Sequence, residues 1–170
     1  ALRLSEQMME VAQTKFGIRN AGVLLVANLT ATIYLQLGRW QDAESLLRPL
    51  LDHDDPIYGD LSQQYISKMM LGQALLGQQK FAEAEPWLLD GFQGLPENRW
   101  RVPPCFPLYD HYGNPIALDR CESPSRIAEA IKQVVDFYRA WHEAQPDAGY
   151  DAKVESWRVK LDDEIGFWEN

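Results

Sequence analysis

Cysteine is scarce in this chain, with two among 170 residues, Cys105 and Cys121, both inside one proline-rich segment. A framework of several disulfides is thereby excluded, and two reduced thiols are the expectation. Long apolar runs are missing as well. The longest, Val23 to Ala27, falls far short of the roughly 20 residues that span a bilayer, and no charged segment followed by an apolar one opens the chain as a secretory signal would. Basic charge is the third shortage. Sixteen Lys and Arg stand against 25 Asp and Glu, giving a net charge of −9 and a pI near 4.8, and the basic residues form no run. Binding to a polyanion draws on counterion release by clustered cations, so nucleic acid is not an expected partner. These shortages together predict a cytoplasmic protein without membrane or nucleic-acid partners.

Catalytic patterns are equally thin. There is no glycine-rich phosphate loop and no His-Arg-Asp sequence, and Asp90-Gly91-Phe92 transposes the Asp-Phe-Gly order that holds metal in protein kinases. Cys105, His111 and Cys121, with Asp110 and Asp119 nearby, match none of the short paired spacings of structural zinc sites. His142-Glu143 lacks the second histidine of a zincin helix, and His53-Asp54-Asp55-Pro56 reads as a helix end entering a turn. No arrangement of Ser, Cys or His suggests a nucleophile. The expectation is no catalytic residue, no metal and no cofactor.

A repeat is present instead. Leu37-Gly38-Arg39-Trp40-Gln41-Asp42-Ala43-Glu44-Ser45-Leu46-Leu47 aligns with Gln78-Gln79-Lys80-Phe81-Ala82-Glu83-Ala84-Glu85-Pro86-Trp87-Leu88, and 41 residues separate Ala43 from Ala84. The same shift carries Ala31 onto Gly72 and Tyr34 onto Leu75, so the match reaches back into the preceding segment.

Each unit reads as two helices. Val23 to Leu37 is apolar on most of its circumference, apart from the stripe Asn28, Thr32 and Gln36, while Ala43, Leu46, Leu47, Leu50 and Leu51 follow a one-sided helical pattern. Gly38 suits the left-handed position after the first helix, and Gln41 or Asp42 begins the second. Leu61 to Leu76 and Ala82 to Leu95 repeat the plan, with Gly77 as the expected stop. Ser125 to Trp141 is a third first-type helix, with Ile127, Ile131, Val134, Val135, Tyr138 and Trp141 on its apolar face and Ser123 or Ser125 as cap, and Ala148 to Leu161 follows it. The opening helix, 1–16, aligns as a second-type helix with Ala1 in the place of Ala43, its own first-type partner missing. That absence, and a first residue that is not methionine, predict a fragment of a longer protein. Pro49 should kink or end the helix that contains it.

The interval 96–124 stands apart. Pro96, Pro103, Pro104, Pro107, Pro115 and Pro124 forbid a long helix, while Trp100, Phe106, Tyr109 and Tyr112 are too apolar for a free linker. Those aromatics either pack against neighbouring helices or line a binding groove, and packing is the expectation. Asp162-Asp163-Glu164, ahead of Phe167 and Trp168, reads as the solvated end of a closing helix.

On these residues the chain resembles the tetratricopeptide repeat family, in a form with a longer period of about 42 residues. Small residues stand where that family crosses its helices, here Ala31 with Ala43 and Gly72 with Ala84, and large ones fill the gaps, here Tyr34, Trp40, Phe81 and Tyr138. Leu71 through Pro86, together with Arg101-Val102-Pro103-Pro104, Tyr138 and Trp157-Arg158, resembles the terminal repeats that follow many bacterial serine/threonine protein kinases. The resemblance covers most of the chain outside 96–124 and is silent about what that interval does. It implies an all-α, right-handed superhelix of about three helix pairs, forming a single domain over 1–170: helix 1–16, repeats 23–54 and 61–95, the proline- and aromatic-rich insertion 96–124, and a repeat over 125–165. It also implies a non-catalytic scaffold that binds a protein or peptide on a concave face, as the carboxy-terminal region of a larger signalling protein. Register assigns that face Asn28, Thr32 and Gln36 from the first unit, Met69 and Gln73 from the second, and Lys132, Asp136 and Arg139 from the third. The alternative is a small-molecule sensor or enzyme with a pocket beneath the 96–124 aromatics.

Overall fold

The computed structural model describes residues 2–17, 20–51, 61–94 and 126–169. Among them the chain is all-α: seven α-helices, one short 3-10 turn and no strand. The helices are α1 (Leu2–Phe16), α2 (Ala21–Gln36), α3 (Trp40–Leu51), α4 (Leu61–Gly77), α5 (Phe81–Gln93), α6 (Arg126–Ala144) and α7 (Asp151–Glu169). Where the sequence predicts one domain, the chain divides into two compact units, residues 1–94 and 95–170. The interval 96–124, with its cysteines, prolines and aromatics, lies outside the described residues, as do Ser123 and Ser125.

In the first unit each helix packs on the next, and α2 also packs directly on α4. The side chain of Asn20 starts α2 by accepting a hydrogen bond from the Gly22 amide at 2.8 Å, as a cap should. The other end of α2 closes through a left-handed residue. Gly38 has φ 69°, its amide donates to the Leu35 carbonyl at 3.1 Å, and the Arg39 amide reaches back to the Tyr34 carbonyl at 2.9 Å. This pair of bonds satisfies carbonyls that a helix end leaves open.

The same closure recurs 41 residues on, and it corrects the expected stop. Gly77 is still helical, and Gln79 holds the left-handed turn at φ 61°, with its amide on the Leu76 carbonyl at 2.8 Å and the Lys80 amide on the Leu75 carbonyl at 3.0 Å. Gly77 is a glycine for another reason. The indole of Trp40 lies against it, so a Cβ there would fall 2.6 Å from Trp40 Cε2.

The core follows one three-position rule. Ala43, Leu47 and Leu50 of α3 are buried, as are Ala84, Leu88 and Gly91 of α5: a small residue at i, a leucine at i+4, and a third buried residue at i+7 whose size differs, Leu50 in α3 and Gly91 in α5. In α1 the buried set is Ser5, Met9 and Ala12. Ser5, rather than Ala1, therefore stands in the place of Ala43, and Ser5-Glu6-Gln7-Met8-Met9 lies over Ala43-Glu44-Ser45-Leu46-Leu47. Small residues are required at the crossing itself: Ala31, Ala43 and Ala84 are fully buried, and a Cβ on Gly72 would come within 2.8 Å of Leu88 Cδ2.

Pro49 does not end its helix, which continues to Leu51, and α5 likewise contains Pro86. Both prolines are exposed, as are Ser45 and Ala82, whose carbonyls lose an amide partner four residues on. The solvent side of a helix is where the loss of one amide is best tolerated.

In the second unit, α6 buries all six residues of its expected apolar face, and Ala128, Ala130 and Phe137 as well. Phe137 meets Tyr138 edge-on at 4.9 Å, and Trp141 stacks on Tyr150 at 4.1 Å across the turn that ends in Gly149, φ 76°. Helix α7 packs on α6 with Val154, Trp157 and Leu161 half-buried and Glu164 buried.

Candidate interaction surface

Helices α2 and α4 carry the residues from which a binding face is built in the first unit. Asn28 is not on that face. It is 5% exposed, its Nδ2 donates to the Gln63 carbonyl at 3.1 Å and to Gln63 Oε1 at 3.3 Å, and its Oδ1 lies 2.6 Å from the Ser67 hydroxyl. Ser67 is fully buried. This cluster is a polar pin between α2 and α4, each group satisfied by the other helix, and that fixes their register because an unpaired buried amide is costly. Met69, one repeat further on at the position of Asn28, is also buried, at 6%, where its side chain leaves no space for a Cβ on Gly91.

The two corrections have one cause. A helix turns about 100° per residue, so the expected stripe Asn28, Thr32, Gln36 drifts about 40° per step, and its first member rotates into the α4 contact. The stripe that stays outside is Leu25, Leu29, Thr32 and Gln36. Leu25 is 48% and Leu29 55% exposed, Gln36 is exposed and Thr32 half-buried, its hydroxyl donating to the Asn28 carbonyl at 2.8 Å. The 41-residue shift carries this stripe onto Ile66, Met70, Gln73 and Gly77 of α4, the first three half-buried. Thr32, Gln36 and Gln73 thus remain on a common face, and four residues that sequence reasoning passed over, Leu25, Leu29, Ile66 and Met70, join them. Exposed leucine in an apolar helix has no signature that separates it from core, which is why the pattern alone did not select them.

No family model matches the chain, and neither does any curated protein or solved structure. The surface is therefore read on its own chemistry.

Among the described residues of the first unit, charge sits on α1, α3, α5 and the turns, with Lys68 of α4 the exception. Glu44 of α3 accepts from Arg48 Nη2 at 2.7 Å, Gln78 Nε2 at 2.7 Å and Lys80 Nζ at 2.9 Å. Burial pushes its carboxyl up, but hydrogen bonds from Lys80, Gln78 and Arg48 outweigh that and lower it from 4.5 to about 2. Lys68, the one charged residue of α4, is turned to Asp90 of α5 and lies 5.4 Å from the Tyr65 ring centre. Tyr34 donates to Glu6 of α1 at 2.8 Å with Arg39 over its ring at 4.7 Å, and burial together with that bond raises its phenol above the usual value.

In the second unit Lys132, Asp136 and Arg139 form an ion triad along α6. Lys132 reaches Asp136 Oδ2 at 2.6 Å and Arg139 reaches Oδ1 at 3.1 Å. With two cations to one carboxylate, the exposed triad keeps a net positive charge. Among the described residues no three His, Cys, Asp or Glu side chains gather as a metal site, and no helix is long and apolar enough to cross a membrane.

Proposed function

We propose that this chain is a non-catalytic interaction module of the tetratricopeptide kind, a right-handed stack of helix pairs that holds a protein or peptide on the face lined by its first-type helices. The observation that carries this reading is the recurrence, 41 residues apart, of both the buried alanine-leucine crossing, Ala43 with Leu47 and Ala84 with Leu88, and the Schellman-type closure. That recurrence sets α2 and α4 side by side with equivalent stripes outward. The setting it suits is the carboxy-terminal region of a larger bacterial cytoplasmic signalling protein, such as a serine/threonine kinase, with Lys132, Asp136 and Arg139 as a contact set of the second unit's own.

A photo-cross-linking residue at Gln36 or Gln73 tests the reading in cells. One discrete protein adduct is expected from both positions, and none from the exposed position Gln7 on α1. Equal labelling from all three positions, or none from any, removes the interaction reading.

A further inference from the structure

Helix α2 contains no charged residue in 16, and α4 in 17 contains only Lys68, which is bonded to α5. With 24% of the chain charged, about eight charges would be ordinary over that length. A face that only meets water has no reason to lack them. The exposed side of α6 supplies the contrast, since it carries Lys132, Asp136 and Arg139. The α2–α4 face carries instead the exposed Leu25 and Leu29 and the half-buried Ile66 and Met70, with Thr32, Gln36 and Gln73 supplying uncharged hydrogen-bonding groups.

We infer that the α2–α4 stripe seats an amphipathic α-helix of a partner protein, anchored by large apolar side chains one turn apart and flanked by basic rather than acidic residues. The spacing follows from the stripe. Leu25 and Leu29 lie one turn apart on α2 and Ile66 and Met70 one turn apart on α4, so a helix presenting apolar residues at i, i+3 or i+4 meets both. The flanking charge follows from complementarity. The stripe offers no cation to a carboxylate, Arg39, Arg48, Lys68 and Lys80 being engaged with Asp42, Glu44 and Asp90, and the chain as a whole is at −9. An acidic peptide or a chain-terminal carboxylate is therefore repelled, and a second copy of the same acidic chain is a poor occupant. The inference rests on the interaction reading above. A partner cross-linked at Gln36 through a segment without an apolar helical face would leave that reading intact and remove this one.

The probe is a 16-residue peptide of leucine and lysine in helical period, compared with one of the same composition in strict alternation, titrated by anisotropy into the 170-residue chain at physiological salt. The helical-period peptide is expected to bind at least about tenfold more tightly. Leu25→Glu and Leu29→Glu, at exposed positions that folding tolerates, should each weaken it about tenfold or more, as burying a charge against an apolar anchor does. Met8→Glu, an equally exposed apolar residue on α1 outside the stripe, should leave it within about twofold. Equal binding of the two peptides, or equal loss in Met8→Glu and Leu29→Glu, would show general attraction to an acidic surface and overturn the inference. So would a concentration-dependent dimer that Leu29→Glu abolishes, because the stripe would then be covered by a second copy.

Discussion

Gln79 occupies a left-handed conformation that costs a side-chain-bearing residue about 1 kcal/mol or more, whereas its counterpart Gly38 adopts φ 69° without that cost. Gln79→Gly should therefore stabilise the protein by about 0.5–1 kcal/mol, less than the full strain because glycine also loosens the unfolded chain. Urea denaturation reads this directly, and an unchanged midpoint would mean that Gln79 is not strained. Gly77→Ala should go the other way, since its Cβ meets the ring of Trp40. Glu44 gives a second prediction at this scale. Its carboxyl is lowered in the folded state to about 2 from 4.5, so its contribution is present above pH 4.5 and is lost as pH falls from there toward 2. After allowance for screening that contribution is about 1–2 kcal/mol. Glu44→Gln should thus differ from the parent at pH 7 and converge with it near pH 2, and a constant difference across that range would exclude the linkage.

At the scale of the elements, stability turns on the crossing of first- and second-type helices. Ala84 is fully buried and Leu88 lies against Gly72, so Ala84→Leu forces α4 and α5 apart and should cost about 1–3 kcal/mol, with Ala43→Leu similar. A thermal midpoint within a degree or two of the parent would show that the crossing lies elsewhere. The sequence made these helices legible because the apolar period and the small residues are local signals. Helix ends were less so. Gly77 carried the composition of a stop, but its lack of a side chain serves Trp40, and a glutamine holds the turn two residues later. Pro49 looked like a break, yet it lies on the wet side of the last turns, where losing one amide matters little. The four-residue slip in α1 arose because Leu2, Leu4, Met8, Met9 and Val11 offer more than one apolar stripe. Only contact with α2 selects Ser5, Met9 and Ala12.

For the molecule as a whole, the division after Gly94 predicts that residues 1–94 fold alone, because α1 to α5 bury their crossings against one another. Circular dichroism of that fragment should show a cooperative helical transition, and a featureless melt would mean that its core needs the rest of the chain. What the sequence determined by itself was the all-α class, the 41-residue repeat, and the alternation of mostly apolar and one-sided helices, all properties of spacing and composition. Tertiary structure alone decided which side of α2 and α4 remains outside. A shift of one residue rotates a side chain by about 100°, and neighbouring positions on so apolar a helix are chemically alike. Asn28 turned inward because Gln63 and Ser67, 35 and 39 residues away, complete its hydrogen bonds, and that rotation leaves Leu29, about 100° further round the helix, outside.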